Sequence, residues 1–132
     1  ACSMLADHNI QPVFEMINGT DMPRFLVQNV AQAQEMLEAV QHPALKMQYD
    51  CYHMAMMGED VFEALKENID TIGHIQFADC PGRHEPGTAI VNYVEIFQWL
   101  ENSQYQGYVA AEYRPLKHSA ASFGWKTRYF AD

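Results

Sequence analysis

The sequence predicts an α/β protein in which four parallel strands alternate with helices. Four short apolar runs have the length of strands, and they cover Pro12–Ile17, Leu45–Tyr49, His74–Ala78 and Tyr108–Tyr113. The first segment between two runs repeats apolar residues at helical spacing, at Val30, Ala33, Leu37 and Val40. Strands that are separated by helices pair in parallel through right-handed crossovers, which is the pattern of the α/β class.

Further helices are predicted between the later strands. One has its apolar positions at Val61, Leu65, Ile69 and Ile72, and the next has them at Val94, Phe97 and Leu100. Asn92 and Glu95 have the spacing of a capping box at the start of the latter helix. A short helix is expected over residues 120–130. No Pro/Gly-rich linker divides the chain, so residues 1–132 are predicted to form a single domain.

Composition narrows the possible functions. The chain has 132 residues, 48% of them hydrophobic, and a net charge of -9, so it can bury a core but offers no basic surface for nucleic acid. Its three cysteines lack CxxC spacing, which argues against a disulfide framework or structural zinc. The same cysteine usage predicts a reducing, cytoplasmic location. Neither a membrane-spanning segment nor a leader is recognisable, so no membrane partner is expected.

A polar residue lies at or near the carboxyl end of every predicted strand. These residues are Glu15, Asp50, Gln76 and Glu112. Because sites in parallel α/β folds form at this edge, the four side chains are expected to converge there. Three carboxylates and an amide oxygen would repel one another without a cation, and hard oxygen ligands suit Mg²⁺ or Mn²⁺ better than zinc. The alternative for any one of them is a solvated residue beside a loop.

Other polar residues accompany these strand ends. Gln48 shares a strand face with Asp50, and His74 shares one with Gln76, so both are candidates for hydrogen bonding behind the ligands, with a structural role equally open for His74. His53 follows Asp50 by three residues. Arg83 lies in a loop with the sequence DCPGRHEPG, where a guanidinium would suit an anionic substrate, although a solvated surface turn is the simpler interpretation.

Several motifs taken together resemble the hydroxypyruvate isomerase family of the xylose isomerase-like barrel superfamily. They are QYDCYHM, GHIQFAD, PGRHEPGT, VNY and GYVAAEYRP. The resemblance implies a divalent metal bound by Glu15, Asp50, Gln76 and Glu112, with Glu15 and Glu112 also acting as catalytic acid and base. It implies substrate contacts for His53 and Arg83, and interconversion of hydroxypyruvate and tartronate semialdehyde through a metal-stabilised enediolate.

This chain departs from the family in two local features and in length. Met16 replaces a usual proline, and Ala89 and Ile90 replace a Gly-Glu pair. The family fold is an eight-stranded barrel, and this chain resembles only its second half. A half barrel leaves two sheet edges and an inner face uncovered, so a homo-oligomer or association with the missing half is expected.

Two other functions remain open at this point. The same ligands would serve a metal-dependent epimerase or isomerase of another small sugar or sugar acid. A half barrel could also be an inactive fragment or isoform that serves as an interaction module. The preferred partner is a small keto acid or sugar substrate.

Overall fold

The computed structural model describes residues 1–130, which contain a parallel sheet with the strand order β1-β2-β3-β4. The strands are β1 (Val13–Glu15), β2 (Lys46–Asp50), β3 (Ile72–Phe77) and β4 (Tyr108–Ala111). The helices are α1 (Cys2–Asp7), α2 (Val30–Val40), α3 (Cys51–Met56), α4 (Val61–Asn68), α5 (Tyr93–Asn102) and α6 (Gly124–Tyr129). Each strand pairs in parallel with the next one in the chain, so the predicted alternation of four parallel strands with helices is confirmed.

One helix ends earlier than its apolar spacing predicted. Helix α4 stops at Asn68, a 3₁₀ turn covers Ile69–Thr71, and Ile72 opens strand β3 opposite Met47. The Asn68 side chain donates a hydrogen bond to the Ala64 carbonyl, and the Thr71 hydroxyl donates one to the Asn68 carbonyl. These side-chain bonds satisfy carbonyls at the helix end, so the inclusion of Ile72 in the helix was wrong.

Asn92 is the N-cap of α5, as predicted, but the reciprocal bond of a capping box, from the Asn92 backbone amide to the Glu95 side chain, is replaced by one from the Asn92 side chain. The Glu95 amide donates to Asn92 Oδ1 at 3.5 Å, and the Asn92 side chain donates to Glu95 Oε2 at 3.1 Å. The short C-terminal helix predicted over residues 120–130 is a 3₁₀ turn, Ser119–Phe123, followed by α6. The single domain was predicted to cover residues 1–132, and residues 131 and 132 lie outside the described part.

The two faces of the sheet differ in chemistry. One face packs on the helices through Met47, Tyr49, Ile75 and Phe77, all of them buried. Because side chains alternate along a strand, the other face carries the residues between them, including Gln48 and Gln76. The core therefore lies between sheet and helices, and the polar strand residues point to the opposite side. In the described part of the chain, no helix is both long and apolar enough to cross a membrane.

Candidate active site

The polar residues that end the strands lie at one edge of the sheet. Glu15 is the last residue of β1, Asp50 is the last residue of β2, and Glu112 directly follows β4. Gln76 is the penultimate residue of β3 and pairs with Asp50 in the strand register. Glu15, Asp50 and His53 each place a potential ligand atom within 4.8 Å of the others. Glu15 and Asp50, at the ends of the neighbouring strands β1 and β2, therefore form a cluster with His53 at this edge.

Asp50 is a fully buried carboxylate at the junction of β2 and α3. Its Oδ1 accepts the Tyr52 amide proton at 2.9 Å and caps α3, whereas its Oδ2 lies 3.3 Å from the Arg83 guanidinium. Burial raises the pKa of Asp50 to about 7, and the negative charges of Glu15 and Glu112 add to the rise. The Tyr52 hydrogen bond and the Arg83 charge oppose it. Asp50 therefore binds a proton readily unless a cation compensates its charge.

Glu15 presents a buried oxygen that accepts no hydrogen bond from the part of the chain that the structure describes. Among residues 1–130, Glu15 Oε1 is the buried side-chain oxygen that lacks one. Burial raises the pKa of Glu15, and the charge of Glu112 reinforces the rise while Gln48 and Arg83 oppose it. A desolvated carboxylate oxygen of this kind is suited to accept a proton or to bind a cation.

Arg83 joins the two sides of the site. Its guanidinium donates to Glu112 Oε2 at 2.8 Å and to Asp50 Oδ2 at 3.3 Å, and it lies 5.1 Å from the centre of the Tyr52 ring. The Arg83 backbone has a φ of 56°, a left-handed conformation at the tip of its loop. A half-buried guanidinium between two carboxylates and an aromatic ring is held in one place, and its remaining N–H groups can bind an anion.

Asn18 orients His53, and sequence reasoning missed it. Asn18 Oδ1 accepts the amide protons of Thr20 and Asp21, at 3.1 and 2.8 Å, so its other side-chain atom is the NH₂ group. That NH₂ lies 2.6 Å from His53 Nδ1 and 3.1 Å from Asp21 Oδ2. Asn18 is fully buried. The Asn-Gly sequence at 18–19 indicated a turn but gave no sign of this contact with a residue 35 positions away.

These contacts define the protonation state of His53. Because Nδ1 accepts from Asn18, the neutral ring carries its hydrogen on Nε2, which lies 3.9 Å from Glu15 Oε1 and 3.7 Å from Asp50 Oδ2. Burial lowers the pKa of His53 to about 4, and the Arg83 charge contributes to the decrease. His53 is therefore a neutral N–H donor facing the carboxylates rather than a free metal ligand.

Gln48 and His74 lie beside these residues on the inner face of the sheet. Gln48 Nε2 donates to Gln76 Oε1 at 2.6 Å, and Gln48 pairs with His74 in the register of β2 and β3. The bond fixes the orientation of the Gln76 amide. The roles predicted for Gln48 and His74 behind the metal ligands stay predictions.

A cleft of about 500 Å³ opens above the carboxylates. Its walls include four residues that the sequence patterns did not single out: Asp21, Tyr52, Gly82 and Arg114. Asp21 Oδ2 accepts the Tyr52 hydroxyl proton at 2.8 Å, which ties the first βα loop to α3. A larger cavity of about 590 Å³ lies at the other end of β3, near Gly73 and Trp99, but Asp70 is its one carboxylate. The 500 Å³ cleft is therefore the candidate active site.

The donor set fits a divalent cation. Glu15 Oε1 is buried without a hydrogen-bond partner in the described residues, and it lies close to the buried Asp50. Carboxylate and amide oxygens suit Mg²⁺ or Mn²⁺, and a cation would offset the cost of burying two carboxylates together. Glu15 and Asp50 are the residues that would hold it; that Gln76, on β3, and Glu112, which follows β4 and pairs with Arg83, complete the set stays a prediction.

Parallel strands with acidic side chains at their carboxyl edge, and helices packed on one face of the sheet, are typical of a segment of a TIM barrel. The chain belongs to the xylose isomerase-like TIM barrel family, whose model matches residues 1–128. The chain spans about half the length of the curated relatives that it matches.

Two curated relatives illustrate the match. The chain is 39% identical to a hydroxypyruvate isomerase from Escherichia coli over 98% of this chain and 50% of the relative. It is 36% identical to a 2-oxo-tetronate isomerase from Cupriavidus necator, again over 98% of this chain and 50% of the relative. The resemblance seen in the sequence motifs is therefore confirmed.

Solved structures show the same fold. A crystal structure described as AP endonuclease, family 2, from Brucella melitensis superposes with a TM-score of 0.91 at 30% identity, over 97% of this chain and 50% of the other. An E. coli 3-keto-D-glucoside 4-epimerase superposes with a TM-score of 0.78 at 25% identity, over 93% of this chain and 48% of the other. The half-length coverage agrees with a half barrel.

The opposed pKa shifts of Asp50 and His53 predict a distinctive pH dependence of stability in the metal-free protein. The pKa of Asp50 is raised from 3.8 to about 7, so the folded state holds a proton that the unfolded state has lost, and stability falls as pH rises through this window. The pKa of His53 is lowered from 6.5 to about 4, so stability rises with pH through that window. Between about pH 4 and pH 6.5 both groups titrate, and their contributions to the pH dependence of the unfolding free energy have opposite signs.

Single substitutions should separate the two slopes. Relative to the unchanged protein, Asp50→Asn should become more stabilising as pH rises from about 4 to 7, whereas His53→Gln should become more stabilising as pH falls from about 6.5 to 4. Each slope has a limit of about 1.4 kcal/mol per pH unit. Urea unfolding across this pH range, with a chelator present, measures the unfolding free energy of each variant. Asp60→Asn, at the exposed N-cap of α4, is the control. Parallel curves for all variants would contradict the assignment.

Proposed function

We propose that the protein containing this chain is an isomerase that interconverts hydroxypyruvate and tartronate semialdehyde. The observation that carries the proposal is Glu15, whose buried Oε1 lacks a hydrogen-bond partner among the described residues and whose pKa is raised. A carboxylate with a raised pKa is a stronger base toward a C–H proton than an ordinary glutamate. The identity to a relative named hydroxypyruvate isomerase supports the choice of substrate.

Each side chain of the site has a separate role in this proposal. Glu15 ends β1 and Glu112 follows β4, the two edge strands of the sheet, so they can serve different faces or oxygens of a bound substrate as base and acid. Arg83 binds the substrate carboxylate through the N–H groups that its acidic neighbours leave free. His53, neutral with its hydrogen on Nε2, donates to a substrate oxygen.

A bound Mg²⁺ or Mn²⁺ would supply Lewis-acid stabilisation of the negative charge that develops on neighbouring substrate oxygens. Glu15, Asp50, Gln76 and Glu112 are the residues proposed to hold the ion, and the orphaned oxygen of Glu15 supports this role. Gln48 keeps the Gln76 oxygen oriented through its hydrogen bond.

A second candidate activity is the isomerisation of 2-oxo-tetronate. The relative from Cupriavidus necator carries that name at 36% identity, close to the 39% of the E. coli relative. Both reactions move a proton next to a carbonyl on a small hydroxy acid, so the same glutamates would serve either. The cleft walls beyond Arg83, including Asp21 and Arg114, would determine whether the three-carbon or the four-carbon substrate fits.

Proton exchange with solvent tests both activities directly. The protein, loaded with Mn²⁺ after chelator treatment, is incubated in D₂O with hydroxypyruvate or with 2-oxo-tetronate, and products and deuterium content are followed by NMR. Deuterium at the carbon next to the carbonyl, together with the isomerised product, is expected for the true substrate. Absence of both signals with both acids would refute the proposal.

We also propose that a further polypeptide covers the inner face of the sheet, as a second copy or as the other half of a barrel, in the cytoplasm. β1 and β4 are the sheet edges, and Val13 and Tyr108 on them are 38% and 83% exposed. Parallel edges of this kind pair readily with another strand. Sedimentation velocity that showed only a monomer of this chain, at concentrations where it is active, would exclude such a partner.

A further inference from the structure

We infer that Asp79 is a positioning residue that holds the loop after β3 closed, so that Arg83 stays over the carboxylates. The inference rests on the proposed function for its substrate, but not for its structural content. Asp79 is fully buried and follows β3 by two residues, and the loop that it begins carries Arg83 near its tip.

The Asp79 carboxylate accepts five backbone hydrogen bonds. Oδ1 accepts from the amides at the two ends of the loop, Cys80 at 2.9 Å and Val91 at 3.0 Å. Oδ2 accepts from three amides in the second half of the loop, those of Gly87, Thr88 and Ala89, at 2.9, 2.9 and 2.8 Å. Backbone amides that surround an anion in this way form a nest. The Asp79 carboxylate therefore holds the first and last residues of the loop together.

The middle of the loop is attached by other contacts. The Asp79 amide donates to the His84 carbonyl at 2.8 Å, and the Arg114 amide donates to the Arg83 carbonyl at 2.7 Å. Arg83 is therefore held by its backbone to the segment after β4 and by its side chain to Glu112 and Asp50. The left-handed φ of Arg83 is costly for a residue with a side chain, so it needs a surrounding structure that enforces it.

Removing the negative charge of Asp79 should release this loop. In Asp79→Asn, one side-chain oxygen becomes an NH₂ group, which cannot accept the amide protons that it faces and repels them instead. Hydrogen exchange should speed up at Gly87, Thr88, Ala89 and Val91. It should also speed up at Arg114, because that amide is bonded to the Arg83 carbonyl. The amides of Tyr49 and Ile75 in the central strands should keep their protection.

Kinetics distinguish positioning from simple stabilisation. In the Mn²⁺-loaded protein, Asp79→Asn should raise KM for hydroxypyruvate about tenfold with little change in kcat, because a displaced Arg83 weakens ground-state and transition-state binding alike. In an Arg83→Ala background the same substitution should have no further effect on KM, since both changes act through one guanidinium. A role in stability alone would lower the unfolding free energy without this change in KM.

The control is Asp60→Asn, which also removes a carboxylate that accepts a backbone amide, that of Glu63, but outside the candidate cleft. It should change neither loop exchange nor KM. Unaltered exchange at residues 87–91 and Arg114 in Asp79→Asn would overturn the inference, as would a KM effect that adds to that of Arg83→Ala. If the unchanged protein does not turn over hydroxypyruvate, the proposed function fails while the exchange at Arg114 still decides whether Asp79 positions Arg83.

Discussion

Glu15→Gln and Glu112→Gln are each expected to lower kcat for hydroxypyruvate by about 10²- to 10⁴-fold, the range that a positioned acid or base contributes. Glutamine has the shape of glutamate but cannot accept and return a proton at the working pH. At saturating Mn²⁺ the loss for Glu15 should be mainly in kcat, because its Oε1 has no hydrogen-bond partner in the described residues that the substitution would disturb. Steady-state assays of the Mn²⁺-loaded protein measure it.

The two variants should differ in KM. Glu112 holds the Arg83 guanidinium at 2.8 Å, so Glu112→Gln weakens an ion pair that positions the proposed carboxylate-binding group, and KM should rise together with the loss of kcat. Glu63→Gln is the matched control, because Glu63 is an exposed glutamate on α4 that pairs with Lys66, away from the candidate cleft. If either site variant kept kcat within a few-fold of the unchanged protein, that glutamate would not be a catalytic acid or base.

The fold was predictable because its signals are local. Apolar spacing marked α2 and α5, and the capping pair Asn92 and Glu95 marked the start of α5. Helix α3 was not predicted because Cys51–Met56 is short and follows Asp50 without a break, and four of its six residues are buried, so it shows no amphipathic period. The extension of α4 to Ile72 failed because an apolar residue at helical spacing can equally open a buried strand.

The sequence predicted which residues lie at the carboxyl edge of the sheet, but not the contacts between their side chains. In a parallel sheet all carboxyl ends meet at one edge, so Glu15, Asp50 and Glu112 could be grouped without knowing a single distance. The contacts that orient side chains depend on residues far apart in the chain. Asn18 and His53 are separated by 35 positions, and Arg83 and Asp50 by 33, and no spacing rule relates them.

Metal binding should depend on the charge of Asp50 and not on His53. Asp50→Asn keeps the side-chain shape and an oxygen at the same place but removes a negative charge from the ligand set, so the Kd for Mn²⁺ should rise by about 100-fold. His53→Gln should leave the Kd within about threefold, because Asn18 keeps the His53 hydrogen on the nitrogen that faces the carboxylates. Calorimetric titration of the chelator-treated protein with Mn²⁺ measures both without requiring turnover.

The pair of variants separates two compositions of the metal site. Glu15, Asp50 and His53 are close enough to share an ion, so a site that used the imidazole would lose affinity in His53→Gln as strongly as in Asp50→Asn. A site built from oxygens would lose it only in Asp50→Asn. Asp60→Asn, an acid of the same kind on the cap of α4, corrects for the general change in net charge. Unchanged Mn²⁺ affinity in Asp50→Asn would contradict a metal site at the carboxyl edge of β2.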